Sequence, residues 1–119
     1  MDAEPLRIVR SAIARADLAS LAERQFGDMV KAVVDVARGV MAIGGELHAD
    51  EEAALIDDGS QQSDLWGINL YPGEQGAGWI AFDSMINVRP AQGNRTRDVE
   101  DERVRDAIRQ VVATLVSTP

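Results

Sequence analysis

The chain has 119 residues, a length that suits one domain, and we predict a single domain over residues 1–119. Hydrophobic residues make up 45% of it and charged residues 27%, proportions that exclude a disordered or collagen-like chain. The formal net charge of −8 argues against nucleic-acid binding as the main role, because it repels polyanions.

The chain contains no cysteine, which excludes disulfides, thiolate metal sites and a thiol nucleophile. Residues 1–5 include acids and are not followed by the basic and apolar segments of a secretory signal. No apolar run approaches the length that crosses a bilayer. These features predict a cytoplasmic protein with no membrane segment.

The first predicted elements are a strand and a helix. Residues 6–10 are short and β-branched and follow Pro5, which is typical of an edge strand. Asp17 is predicted to cap a helix that runs to Gln25 and is terminated by Gly27.

Residues 29–43 fit either a buried helix or a hairpin, because they are apolar on nearly every side. The frequent valines, a plausible turn at residues 37–39 and the glycine pair at 44–45 favour the hairpin. We predict the hairpin, and the helix remains the alternative.

The second half of the chain predicts a helix, a hairpin and a last helix. A short helix covers residues 49–56, and strands at 65–71 and 79–88 flank a loop rich in glycine. Asp98 is predicted to cap the last helix. Its apolar stripe comprises Val104, Ile108, Val111, Val112 and Leu115.

The predicted order is therefore β-α-β-β-α-β-β-α. This order is typical of a small α+β domain with a mainly antiparallel sheet and three helices.

Alternation along the second hairpin predicts one apolar and one polar sheet face. The apolar side chains of strand 79–88 are Ile80, Phe82, Ile86 and Val88, and those of the other strand are Trp66, Ile68 and Leu70. The polar face collects Asn69, Tyr71, Asp83, Asn87 and Arg89. These groups suit a small-molecule site with Asp83 as a candidate catalytic base, and a solvated sheet face is the alternative.

The loop at residues 89–98 carries three arginines and leads into the last helix. A helix N-terminus with arginines can hold a phosphate or carboxylate, so Arg89, Asn94 and Arg95 are candidate ligand-binding residues. The alternative is that the arginines pair with the acids that open this helix.

The only histidine, His48, lies among acids where the first hairpin passes into a helix. Glu46, His48 and Asp50 are candidate ligands of a divalent metal, and His48 is also a candidate general base. A structural, hydrogen-bonded histidine is the alternative. The sequence contains no other sign of a cofactor.

Four long segments resemble a family of small uncharacterised prokaryotic proteins, classed as a domain of unknown function. They are FGDMVKAVVD, MAIGGELHADEE, DGSQQSDLWGINLYP and FDSMINVRPAQGNRTRDVEDERVR. The resemblance extends from Phe26 to Arg105 and implies a small prokaryotic cytosolic protein, but no catalytic residue.

Three functions follow from these patterns. The first is binding of a small anionic ligand, with or without catalysis, at the polar face and the arginine-rich loop. The second is a non-enzymatic interaction module that forms a homodimer through an exposed strand or the apolar last helix. The third is a toxin-like protein that associates with RNA through Arg89, Arg95 and Arg97, which the net charge opposes.

Overall fold

Five strands form an antiparallel sheet in the order β1-β4-β3-β5-β6, and β2 and β7 form a separate parallel pair. A computed structural model describes residues 6–118, so the segment 1–5, where a signal was sought, lies outside it. The strands are β1 (Arg7–Val9), β2 (Ile13–Ala14), β3 (Val30–Asp35), β4 (Val40–Ile43), β5 (Leu65–Leu70), β6 (Ile80–Ala81) and β7 (Val116–Ser117). The helices are α1 (Arg15–Arg24), α2 (His48–Asp57) and α3 (Glu102–Leu115). The predicted α+β class is confirmed.

Strands β3 and β4 pair antiparallel from Ala32 opposite Ile43 to Asp35 opposite Val40, so the hairpin prediction is confirmed. The buried Asp35 closes the turn, because one of its carboxylate oxygens accepts hydrogen bonds from the amides of Ala37 and Arg38, both at 2.9 Å. Its other oxygen accepts from the Ser60 hydroxyl at 2.6 Å.

Helices cover both faces of the sheet, so neither face is broadly solvated. Leu18 of α1 and Ile108 of α3 pack in the larger core cluster, together with Ile68 of β5. Leu55 of α2 packs on the opposite face against Val33. Burying a leucine or isoleucine side chain contributes about 1.5–3 kcal/mol, so these contacts fix where each helix lies.

The predicted apolar stripe of α3 lies in the core, where Ile108, Val111, Val112 and Leu115 are all buried. It is therefore unavailable as the dimer surface that the sequence suggested. The predicted cap of this helix was wrong: Asp101 is the N-cap, and its carboxylate accepts a hydrogen bond from the Arg103 amide at 2.9 Å.

The predicted strand at 79–88 was wrong beyond Ala81, because only Ile80–Ala81 pairs with β5. A 3₁₀ turn at Met85–Asn87 follows, so the alternation of faces stops there. Ile86 packs in the cluster beneath α2, and Val88 is 37% exposed, instead of joining Ile80 and Phe82 on one face.

The predicted start of α1 was also wrong, since the helix begins at Arg15 with no side-chain cap. Within residues 6–118, none of the helices is both long and apolar enough to cross a membrane.

Candidate functional site

A half-open groove of about 460 Å³ lies where the first turn of α2 meets β5 and the segment after β6. Seven of the side chains that line it are polar or charged: Lys31, His48, Asn69, Tyr71, Asp83, Ser84 and Arg97. Its volume falls within the range of small-molecule sites.

His48 is the first residue of α2 and is held by the backbone of β5. Its ring atom Nε2 lies 2.8 Å from the carbonyl oxygen of Ile68. A carbonyl only accepts hydrogen bonds, so Nε2 carries a proton and Nδ1 is the acceptor of the neutral ring. Burial lowers the pKa of His48, and the charge of Lys31 lowers it further. The groove thus contains a neutral imidazole with a fixed tautomer.

Lys31 and Asn69 face each other across the β3–β5 ladder, where they are register partners. The amide nitrogen of Asn69 donates to the carbonyl of Asp83 at 3.2 Å. Its side-chain oxygen is buried and has no hydrogen-bond partner within residues 6–118. One polar atom of the groove therefore lacks a partner.

The charges of the groove are two cations and one carboxylate. Arg97 donates to the Asp83 carboxylate at 2.7 Å, and both side chains are about half exposed. No salt bridge to Lys31 occurs among the described residues. The groove is therefore locally cationic in a chain whose net charge is −8.

Two large apolar side chains line the same groove and remain exposed. Leu47 is 57% exposed and Met85 is 66% exposed. A small polar site with apolar flanks is the usual composition of a ligand pocket.

Glu51 lies one helical turn after His48 and is fully buried. One of its carboxyl oxygens accepts from the Gly45 amide at 2.9 Å, while the other has no partner among the described residues. Burial raises the pKa of Glu51 to about 9. The side chain is therefore a neutral carboxylic acid at pH 7.

Residues 7–115 match a family described as a protein of unknown function, DUF5674. The chain belongs to this family. The match confirms the resemblance found in the sequence, and it includes every residue of the groove. Comparison with curated proteins found no match, nor did comparison with solved structures. The family description assigns no activity, so the function has to be argued from the groove.

Five of the residues proposed from the sequence meet in this groove: His48, Asn69, Tyr71, Asp83 and Arg97, the last of which was proposed only for RNA binding. The alternation of side chains along the predicted strands had placed Asn69, Tyr71 and Asp83 on one sheet face. His48 joins them because α2 packs over that face through Leu55.

Asn87 does not lie on that face, so the prediction of a shared surface is wrong for this residue. It is fully buried, and its side-chain amide exchanges two hydrogen bonds with the backbone of Gly67. Asn94 is buried as well; its amide nitrogen donates to the carbonyl of Asn87 at 2.8 Å, and its oxygen accepts from the Glu100 amide at 2.8 Å. Both asparagines hold the loop together.

Arg89 lies outside the groove, so its predicted place beside Asp83 is wrong too. Its guanidinium stacks 4.2 Å from the centre of the Trp66 ring and donates to the carbonyls of Gln62 and Leu65. Burial lowers the pKa of Arg89. The side chain joins the loop to β5.

The loop before α3 does hold an anion, but the anion belongs to the chain itself. The carboxylate of Glu100 accepts from the amides of Arg95 and Thr96 at 2.7 and 2.8 Å. These amides, with the Thr96 hydroxyl, lower the pKa of Glu100. The Asp98 carboxylate pairs with Arg105. The alternative that the loop arginines pair with these acids is not confirmed: among the described residues Arg97 pairs with Asp83, and neither Arg89 nor Arg95 forms a salt bridge.

Glu46, His48 and Asp50 do not assemble the predicted metal site. Within residues 6–118, no three histidine, aspartate or glutamate side chains are placed to hold a metal ion. Glu46 and Asp50 are exposed, whereas His48 faces the groove.

Sequence reasoning missed Lys31 as a groove residue and Glu51 as a buried acid. Lys31 is the only lysine of the chain and interrupts an apolar strand. Glu51 precedes the buried Leu55 by four residues, a spacing that places both on one side of a helix. These two signals were present in the sequence.

Proposed function

We propose that the groove binds a small anionic ligand and that His48 exchanges a proton with it. The observation that carries this proposal is that His48 shares the groove with the cations Lys31 and Arg97 while the Ile68 carbonyl holds its ring. Fixed tautomer, nearby positive charge and an open cleft are the features expected of an acid–base site.

Anion binding is favoured by the balance of charge in the groove. Asp83 offsets Arg97, and Lys31 is left to attract a carboxylate or phosphate. Glu51 does not cancel this charge, because its raised pKa keeps it protonated. Coulombic attraction at a partly desolvated site is stronger than at an open surface.

His48 is a better candidate for the base than Asp83. The carboxylate of Asp83 is engaged by Arg97 at 2.7 Å, whereas Nδ1 of His48 has no hydrogen bond to any described residue. A proton taken from a ligand hydroxyl or a water would reside on Nδ1. The charge of Asp83 favours the resulting imidazolium, since it raises the pKa of His48.

A thermal-shift screen tests the proposal with inorganic phosphate, phosphate esters and small carboxylates. A ligand at a hundredfold excess over its Kd stabilises the folded state by about 2.7 kcal/mol, which is several degrees for a domain of this size. The effect should disappear in Lys31→Gln and persist in Arg103→Gln, whose side chain is 92% exposed.

Turnover is tested separately with the ligand that the screen finds. His48→Gln should retain binding and abolish any conversion of that ligand. A ligand whose stabilising effect is the same in wild type and Lys31→Gln would place binding elsewhere and contradict the proposal. So would the absence of any shift with all the probes.

A further inference from the structure

The first turn of α2 opens into the groove without a side-chain cap. Its N-cap residue is Leu47, which has no capping hydrogen bond, and Leu47, His48 and Ala49 all line the groove. Within residues 6–118, no acceptor is found for the backbone amides of His48 and Ala49. Such amides, with the positive end of the helix dipole, favour an anion.

The unpartnered oxygen of Asn69 is a second and independent sign of a ligand in the same groove. Asn69 is 8% exposed, yet it lines the groove, and its oxygen accepts no hydrogen bond from the described residues. A buried acceptor without a partner destabilises the folded protein, because it has lost its hydrogen bonds to water. A ligand that donates to this oxygen would remove that cost.

The orientation of the Asn69 amide is fixed by chemistry. Its partner is the carbonyl of Asp83, which only accepts, so the NH₂ group must face that carbonyl. The remaining atom is therefore an oxygen, and the group that meets it must be a donor.

We infer that the ligand is a hydroxylated small anion, whose charged group lies at the first turn of α2 near Lys31 and whose hydroxyl donates to the Asn69 oxygen. This inference rests on the proposed function and names its ligand class. Lys31 and Asn69 are cross-strand partners, whose Cβ atoms lie about 4.5–5.5 Å apart in such pairs. The hydroxyl therefore neighbours the charged group, as in a 2-hydroxy acid or a hydroxylated phosphate ester.

An uncharged donor fits the groove better than an ammonium group. Asp83 offsets Arg97, and Lys31 repels another cation, so an amino acid would bring its ammonium into an unfavourable field. The hydroxyl also lies in the groove that contains His48, which connects the ligand class to the proposed proton transfer.

Two matched pairs of probes test the inference by calorimetry on the wild-type protein. Glycolate is compared with acetate, and glycerol 3-phosphate with propyl phosphate; each pair differs in its hydroxyl groups. The hydroxylated member of at least one pair should bind tenfold or more tightly than its partner. The pair with measurable affinity distinguishes a carboxylate from a phosphate.

Asn69→Ala should bring the ratio within that pair close to one while leaving the affinity of the non-hydroxylated probe unchanged. Because Asn69 also bonds to Asp83, circular dichroism must first show that this variant folds. The ratio of the two affinities within a pair, measured on the wild-type protein, tests the inference without any variant.

Equal affinities within both pairs would overturn the ligand class and leave the anion site standing. Failure of all four probes to bind would overturn both the inference and the proposed function. Lys31→Gln should weaken both members of a pair by a similar factor, because it removes attraction to the charge that they share.

Discussion

The side-chain amide of Asn87 pairs with the backbone of Gly67 as the backbone of a neighbouring strand would. The Gly67 amide donates to the Asn87 side-chain oxygen at 2.8 Å, and the Asn87 side-chain nitrogen donates to the Gly67 carbonyl at 2.9 Å. Strand β6 ends at Ala81, so this side chain continues the hydrogen bonding of β5 beyond it. Asn87 also donates to the carbonyl of Arg97 at 3.0 Å, which anchors the segment that brings Arg97 to the groove.

Asn87→Ala should destabilise the protein strongly, because it leaves the amide and the carbonyl of Gly67 buried without partners, while the carbonyl of Arg97 keeps the Ser84 amide as a donor. Each such group costs about 1–3 kcal/mol, so we expect a loss of roughly 2–5 kcal/mol in the free energy of unfolding. Urea denaturation measures this. Gln92→Ala is the control, since it loses one exposed hydrogen bond to the Ser63 carbonyl. Similar small losses in both variants would contradict the structural role of Asn87.

Gly67→Ala should destabilise the protein through a clash. A Cβ atom at residue 67 would lie 2.5 Å from Cβ of Ser84, a residue that is itself buried. The segment around Ser84 would have to move away from β5, which typically costs about 1–3 kcal/mol. In Gly73→Ala the new Cβ would meet nothing within 4 Å, so this control should change the melting temperature little. Equal melting temperatures in the two variants would show that the segment around residue 84 is not held closely against β5.

The sequence predicted α3 from the helical period of its apolar residues, and β3 from its valines and the turn that follows it. The valines of β3 and the apolar stripe of α3 both lie in the core, as the pattern required. The prediction of a strand at residues 79–88 was wrong because of Asn87. Periodicity treats Asn87 as a residue that faces water, whereas its side chain replaces the backbone of a strand. A side chain can take the place of a strand in this way only where it comes close to the backbone of Gly67. Such a contact produces no periodic pattern of apolar residues in the sequence.

The groove could be predicted only in part, for a similar reason. Alternation placed Asn69, Tyr71 and Asp83 together, and these residues do line one groove. His48 lies in the groove because of the way α2 packs over the sheet. The residue pattern of one helix or strand does not determine this packing. The stacking of Arg89 on Trp66 is a long-range contact as well, and it removed Arg89 from the predicted site.

The buried acid Glu51 should make the protein less stable as the pH rises. Its pKa is about 9 in the folded protein and near 4.5 when exposed, so the folded state binds more protons between these values. The free energy of unfolding should therefore fall as the pH is raised from about 5 to 9. Glu51→Gln keeps an acceptor for the Gly45 amide and cannot ionise.

Glu51→Gln should remove most of this pH dependence and be more stable than wild type at pH 8, by roughly a few kcal/mol. Urea denaturation at pH 5 and pH 8 measures both effects. The control is Glu52→Gln on the same helix, which should keep the wild-type dependence because Glu52 is only half-buried. A wild-type stability that rises between pH 5 and 8, together with an unchanged dependence in Glu51→Gln, would mean that Glu51 is ionised in the folded state.

His48 is the only histidine, so its NMR signals report on the groove alone. Burial lowers its pKa below the usual 6.5, and we expect the imidazole to titrate below that value. At pH 7 the nitrogen shifts should show a protonated Nε2 and an unprotonated Nδ1, because Nε2 donates to the Ile68 carbonyl.

The pKa of His48 is lower in the folded than in the unfolded protein, so the unfolded state binds more protons between the two pKa values. Ionisation of His48 should therefore reduce the free energy of unfolding as the pH falls through 6.5. A bound anion favours the imidazolium, so glycolate or glycerol 3-phosphate, at a concentration that just saturates the wild type, should raise the titration midpoint in wild type and raise it much less in Lys31→Gln, which binds the anion more weakly. A midpoint above 6.5 without ligand, or a proton on Nδ1 at pH 7, would contradict the role of His48 as a neutral base.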